Sequence, residues 1–475
     1  MKICPFCNAN LPDDSEFCTN CGMKLSAEQK NAEKTSEKSL NVWKILFIVF
    51  IVLVVIGVSV GAAYYFLKAD DIPDEDTKVS VDEDETDAKE NSLDEDESAT
   101  VSANSENNLN DGGESVDKTG IFKIGGIGPV SGYAKNYGLS VQHGAQLAVD
   151  EINANGGING YQIEFDMKDD MHDTGVAVSS YNSLEDWGMH MLMGTVTSTP
   201  CVAVAGEAVT DNMFMLTPCA SNDKCIEVGD NIFSVCYTDS QQGRMAAEYI
   251  AENSIASKIG IIYNSEDAYS SGVFAEFKNA AALYDLEIVA ETSCSYDSNT
   301  DFTAQLYNCK SADAELVFIP MYYSEASIIL KQADSMNYSP VFFGCDSLDG
   351  ILDVKNFDVS LAEGVMFLSP FANDDSNTAI QNFVSAYKLK YNNEIPNQFA
   401  ADAYDAIYAI KAAAEKADIS PNMSVSEICD EMKVAMTQIT MNGLTGSGMT
   451  WTANGAVSKS PKAVIIKNGI YVSAN

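Results

Sequence analysis

The chain has 475 residues, 46% of them hydrophobic, and a formal charge of −41 from 69 acidic and 28 basic side chains. That balance excludes nucleic-acid binding, which relies on Lys and Arg to neutralise phosphates, and a flat association with an anionic membrane surface. The charge is unevenly spread: residues 69–118 hold 19 Asp and Glu against 3 Lys, whereas residues 119–475 have the apolar content of a large core or two joined cores.

Residues 1–25 carry Cys4, Cys7, Cys18 and Cys21 in the pattern C-x2-C…C-x2-C. Four thiolates so spaced suit tetrahedral Zn2+, each C-x2-C making one tight knuckle. Asn8 and Gly22 follow the two knuckles, and both tolerate the left-handed backbone such a turn needs. The segment CPFCNANLPDDSEFCTNCG resembles small zinc-ribbon modules. The zinc is expected to be structural, because so short a segment does not fold without it. Lys2 and Lys24 are its only basic residues, so nucleic acid is not its partner.

A cytoplasmic linker is expected over 26–44, followed by a transmembrane helix over 45–67. Those 23 residues contain no charge. At about 1.5 Å per residue they span roughly 35 Å, enough for a hydrocarbon core of about 30 Å. Trp43 on one flank and Tyr64 and Tyr65 on the other suit the two interfaces. Lys24, Lys30, Lys34, Lys38 and Lys44 precede the span, and acidic sequence follows Lys68. The positive-inside rule therefore places the N-terminus in the cytoplasm and the C-terminal region outside a cell membrane crossed once. The apolar run exceeds a typical signal-peptide h-region, which favours an uncleaved signal anchor. Gly57-Val58-Ser59-Val60-Gly61 fits the nucleophile-elbow pattern, but mid-membrane it cannot be that elbow; it also fits G-x-x-x-G, which allows close helix approach, and reads first as small residues in a membrane helix.

Residues 68–118 combine low hydrophobicity with high net charge, the signature of a disordered, solvated stalk. As a flexible coil, about 50 residues reach roughly 40 Å.

From residue 119 short apolar strands alternate with amphipathic helices. FKIGGIGPV reads as a strand; Val141, Ala145, Ala148, Val149 and Ile152 then fall on one helical face. QIEFDMKDD, HMLMG and MFMLTP continue the series. The pattern restarts near Gln241 with KIGIIYN, LEIVAET, ELVFIP and PVFFG, each followed by helical sequence or a loop. This predicts an α/β fold of two doubly wound parallel-sheet lobes joined by a hinge. Such sheets bind ligands at the carboxyl ends of their strands. The loops at 128–132, 195–199 and 217–221 are rich in small and hydroxyl residues that suit a carboxylate.

The segments GPVSGYAKNYGLSVQHGAQLAVDEINANGGINGYQIEF, LMGTVTSTPCVAVAGEAVTDNMFMLTPCAS, DSQQGRMAAEYI, NSEDAYSSG, FGCDSLDG and QFAADAYDAIYAI resemble, in order and spacing, type I periplasmic binding proteins of the leucine/isoleucine/valine-binding branch. The resemblance covers 119–475. It implies lobe 1 over about 119–239 and 367–450, and lobe 2 over about 240–366 and 451–475. By position it implies Ser198 and Thr199 at the ligand α-carboxylate, with Cys219 and Ser221 completing that site. It further implies Asp346 at the α-ammonium, where branched-chain binders usually carry Glu. Tyr137, Tyr269 and Tyr322 are implied as pocket walls or closing residues.

His143, His172 and His190 are scattered; His172, among Asp169, Asp170 and Asp173, reads as a solvated acidic turn before it reads as a metal cluster. Eight cysteines outside the cell permit disulfides, with Cys219–Cys225 and Cys294–Cys309 as sequence-near pairs. No P-loop, H-E-x-x-H, credible nucleophile or G-x-G-x-x-G is present, so the chain is not expected to be an enzyme. The expected function is a membrane-anchored substrate-binding protein that takes an amino acid or similar small polar ligand to ABC permease subunits. The alternative is a ligand-sensing ectodomain coupled to the cytoplasmic ribbon.

Overall fold

The computed structural model describes residues 120–474 except 461, together with 2–3 and 10–11 near the N-terminus. Cys4, Cys7, Cys18 and Cys21, the linker, the span 45–67 and the stalk lie outside the described residues. The chain divides into an N-terminal and a C-terminal unit. In the first, strands Lys2–Ile3 and Asn10–Leu11 pair antiparallel. Among the described residues no helix is long and apolar enough to cross a membrane.

Lobe 1 contains β1 (Ile121–Gly128), α1 (Lys135–Ala154), β2 (Gln162–Asp169), α2 (Thr174–Trp187), β3 (Met191–Gly194), α3 (Ser198–Thr210), β4 (Met215–Thr217) and β5 (Ile232–Ser234). Its five-stranded sheet runs β2-β1-β3-β4-β5, all parallel. Alternating side chains divide between two cores, as a strand covered on both faces requires. Met191, Met193, Leu216 and Phe233 join Val141, Ala145, Ala148, Val149 and Ile152 of α1, the predicted helical face. Leu192, Met215 and Ile232 instead meet Ala177 and Tyr181 of α2 and Val204 and Ala205 of α3.

Lobe 2 contains α4 (Asp239–Glu252), β6 (Lys258–Asn264), α5 (Ala268–Ala281), β7 (Glu287–Cys294), α6 (Thr303–Ser311), β8 (Leu316–Phe318), α7 (Tyr323–Ser335), β9 (Val341–Gly344) and β10 (Met366–Ser369). The chain then returns to lobe 1 for α8 (Thr378–Lys390), α9 (Gln398–Ala417) and α10 (Val425–Met436), and ends in lobe 2 with β11 (Lys462–Lys467) and β12 (Ile470–Ser473). The lobe 2 sheet runs β12-β11-β10-β9-β8-β6-β7, antiparallel only at β10/β11 and β11/β12. α9 packs against α1 so closely that a Cβ at Gly144 would strike the Ala400 carbonyl oxygen. The lobes exchange chain three times. β10 at 366–369 belongs to lobe 2, just beyond the boundary drawn at 367. Residues 451–457 stay beside β5, through Trp451 Nε1–H donating to the Ser234 carbonyl (2.9 Å) and Ser234 N–H to that of Gly455 (3.0 Å).

Local chemistry sets where helices start. Asp173 caps α2, accepting from the Val176 N–H (2.9 Å). Thr238 and Gln241 form a reciprocal capping box at α4, fixing the first exit from lobe 1.

Candidate functional site

A narrow cavity lies between the lobes. It sits at the carboxyl ends of the parallel strands, where an open α/β sheet leaves strand-end loops and helix N-termini exposed. The loop after β3 supplies Val196, Thr197 and Ser198; the one after β4 supplies Cys219 and Ser221; those after β8 and β9 supply Tyr322, Asp346 and Ser347. Tyr137, Tyr269 and Phe399 enter from the first turns of α1, α5 and α9.

The lobe 1 wall is an anion cradle. Thr197, the N-cap of α3, makes no side-chain capping bond. The third helical residue, Pro200, brings no N–H. The first-turn N–H groups of Ser198 and Thr199 therefore remain for an outside acceptor at the positive end of the helix. Ser198 Oγ accepts from the N–H groups of Ser221 and Asn222, both at 3.2 Å, which leaves its own O–H to donate. Ser221 Oγ donates to Asp239 (2.8 Å) and is joined there by Asn222 Nδ2 (2.7 Å).

The lobe 2 wall is acidic. Asp346 is buried, and Gln242 Nε2 donates to its carboxylate (2.9 Å). Burial pushes its pKa up to about 7, against the opposing pull of hydrogen bonds from Tyr269 and Gln242. Next to it, the buried Gln242 Oε1 has no hydrogen-bond partner. A carboxylate and an amide oxygen side by side call for a donor-only group such as an ammonium.

The lobes are closed over this space. Tyr137 O–H donates to the Ser347 carbonyl and accepts from the Tyr323 N–H (3.1 Å), while Tyr323 O–H donates to the Tyr133 carbonyl (2.8 Å). A second seam centres on Asp267, the N-cap of α5. Its carboxylate receives Thr199 Oγ1–H from lobe 1 (3.3 Å) and the hydroxyls of Tyr296 (3.0 Å) and Tyr322 (3.4 Å) from lobe 2. Thr199 Oγ1 also accepts from the Ala268 N–H (3.2 Å).

Seven of the eight ligand residues expected from sequence thus line one cavity: Tyr137, Ser198, Cys219, Ser221, Tyr269, Tyr322 and Asp346. Thr199 does not line it; its side chain belongs to the seam. His172 corrects the sequence reading. It is neither a solvated turn nor a metal ligand, and among the described residues no such metal cluster exists. Its side chain is 6% exposed, with Nδ1 2.9 Å from Thr197 Oγ1 and Nε2 3.2 Å from the Tyr296 hydroxyl and 3.9 Å from Asp267. The neighbouring carboxylates work elsewhere: Asp169 holds the 130–131 loop and Asp173 caps α2. The suggested disulfides are also absent, since all eight described cysteines are buried free thiols. Cys219 and Cys225 point to the carbonyls of Val196 (3.4 Å) and Ser198 (3.8 Å). Phe399, Ser347, Asp267 and Gln242 were not singled out in the sequence. Phe399 and Asp267 did carry a signal, each standing at the start of an amphipathic helix within a segment of family-like sequence.

Fold and site define a two-lobed cleft binder for a small molecule. The chain belongs to the periplasmic binding protein family, whose model matches residues 122–467, and a zinc-ribbon domain model matches residues 3–25. Leu/Ile/Val-binding protein homolog 3 of Brucella melitensis is 30% identical over 301 residues, 62% of this chain and 78% of that protein. Leu/Ile/Val-binding protein BraC3 of Rhizobium johnstonii is 29% identical, over 62% of this chain and 79% of its own length. The solved structure of the branched-chain amino acid transporter substrate binding protein LivJ of Streptococcus pneumoniae, in complex with isoleucine, is similar with a TM-score of 0.66 and 30% identity, covering 74% of this chain and 100% of that one. A solute binding protein from R. palustris in complex with benzoate shares the fold at a TM-score of 0.67 and 20% identity, over 75% of this chain and 96% of its own. The relatives are solute-binding proteins, and this chain is a binder, not an enzyme.

Proposed function

We propose that the domain captures an α-amino acid and, tethered outside the cell membrane by residues 45–67, delivers it to ABC permease subunits. The observation that carries this is the polarity of the cavity. The N-terminus of α3 with Ser198 on one side suits a carboxylate, and Asp346 on the other suits an ammonium. A zwitterion joining the two lobes stabilises the closed form by holding both walls at once, as in hinge-type binders. The named ligands of the relatives, leucine, isoleucine and valine, support the same class. Cys4, Cys7, Cys18 and Cys21 would hold a structural Zn2+ in the ribbon; their all-thiolate donor set fits that ion.

The test is a thermal-shift screen of amino acids, amides, sugars and aromatic acids. A ligand at 100 times its Kd adds about 2.7 kcal/mol. A hit among α-amino acids that both Ser198→Ala and Asp346→Ala abolish supports the assignment. Hits confined to another class would sink it. Co-purification of permease subunits with the full-length protein tests delivery.

A further inference from the structure

The side-chain end of the cavity is closed by rings. Tyr137 and Phe399 have centroids 4.3 Å apart, Tyr137 and Tyr322 5.4 Å, and Tyr269 and Tyr322 5.6 Å. At those separations the rings touch, and nothing passes between them. Their positions are fixed from behind. The Tyr137 hydroxyl is bound to Ser347 and Tyr323, that of Tyr269 to Ser347 Oγ (2.7 Å), and that of Tyr322 to Asp267. Swinging any of the three tyrosine rings aside would break a buried hydrogen bond. The ring wall and the two polar walls leave only a narrow space between them, and the polar walls claim part of it for carboxylate and ammonium.

Resting on the amino-acid reading above, we infer that this site selects a small aliphatic amino acid of about the size of alanine and rejects leucine and isoleucine. The carboxylate and ammonium are held at both walls, so a longer side chain can only press into the ring wall. Carbons beyond Cβ would have to displace Phe399 or Tyr137 from a packed interior, which overpacks it. Phe399 is the ring to remove, because no hydrogen bond holds its side chain and it stands at the start of α9.

The test is calorimetry on the full-length protein with alanine, valine, leucine and isoleucine. Alanine is expected to bind at least tenfold more tightly than leucine or isoleucine. Phe399→Ala, or Phe399→Leu where the larger truncation impairs folding, is expected to narrow or invert that order by admitting isoleucine. Leucine or isoleucine binding as tightly as alanine to the unaltered protein overturns the size assignment and leaves the amino-acid reading standing. An order left unchanged by both Phe399 variants overturns the role of the ring wall. Binding of no α-amino acid defeats the amino-acid reading itself, and the size assignment with it.

Discussion

Thr199 of lobe 1 and Asp267 of lobe 2 meet across the cleft, with Thr199 Oγ1–H donating to the carboxylate at 3.3 Å and the Ala268 N–H returning a bond to the same hydroxyl at 3.2 Å. Two helix N-termini are thereby joined by one side chain. Thr199 directly follows Ser198, so the residue that locks the lobes is rigidly coupled to the proposed carboxylate site. Both bonds exist only when the lobes are closed.

Thr199→Val keeps the shape and removes both bonds. Hydrogen bonds to charged groups contribute about 1.5–3 kcal/mol, so ligand affinity is expected to fall roughly ten- to a hundredfold. The loss belongs in the dissociation rate, because the closed state is what opens to release ligand. Stopped-flow displacement and calorimetry on Thr199→Val check this; an unchanged dissociation rate would show that the seam does not hold the closed state.

Asp346 makes capture dependent on pH. Burial holds its pKa at about 7 in the ligand-free site, and pairing with an ammonium requires the carboxylate. Ligand binding below pH 7 therefore releases a proton, and affinity is expected to fall by up to about tenfold per pH unit as pH drops from 7. His172 acts in the same direction: burial lowers its pKa in the closed form, so imidazole protonation opposes closure. Calorimetry at pH 5.5 and 7.5, in buffers of different ionisation enthalpy, reads the released proton directly. Asp346→Asn removes the proton release assigned to Asp346 together with most of the affinity.

The ligand-free fold should show the opposite trend. Burial is the first cause raising Asp170, Asp346, Asp349 and Glu325, each to about 7. A carboxyl whose pKa is higher in the folded than in the unfolded chain stabilises the fold while protonated. Its contribution is complete below the unfolded value, near 4, and is lost as pH rises through about 7. The melting temperature without ligand is expected to be several degrees higher at pH 5 than at pH 7.5, and saturating amino acid should reduce the difference. A melting temperature flat over that window would mean that these carboxyls keep ordinary pKa values.

The sequence carried the parallel lobes because their strands are short, fully apolar runs between helices with one buried face, as at Met191–Gly194 and Val141–Ile152. It did not carry β5, β10, β11 and β12. Ile232–Ser234 is three residues long, and the antiparallel edge at Lys462–Ser473 follows a hinge crossing that local periodicity cannot register. The site divides similarly. Ser198 and Ser221 stand in strand-end loops, where chain order alone predicts a ligand, whereas Asp346 was legible only through the family resemblance. His172 looked solvated because Asp169, Asp170 and Asp173 surround it in sequence, yet the fold tucks it against Tyr133 and Tyr322 at ring distances of 5.1 and 5.7 Å. Only lobe closure brings Asp267 to it, and closure is a tertiary event with no local pattern.

Lys459 is the remaining point where fold and site are tied together. Its ammonium is fully buried and sits 2.9 Å from Asp402 Oδ1, 3.0 Å from Thr445 Oγ1 and 5.3 Å from the ring centre of Tyr237, which lies in the connection from β5 to α4. Lys459→Met leaves Asp402 buried without its partner, which is expected to cost about 3–5 kcal/mol of stability in denaturant unfolding. The double substitution Lys459→Met/Asp402→Leu removes both charges and should recover most of that loss, because the penalty lies in the uncompensated charge. Burial raises the pKa of Asp402 and Lys459 holds it down, so the single variant is expected to protonate Asp402 and lift its repulsion of Asp346. The double variant lacks the same repulsion, so ligand affinity at pH 7 should match or exceed that of the unaltered protein in both. Weaker binding by the single variant alone would show that its unpaired Asp402 stays ionised.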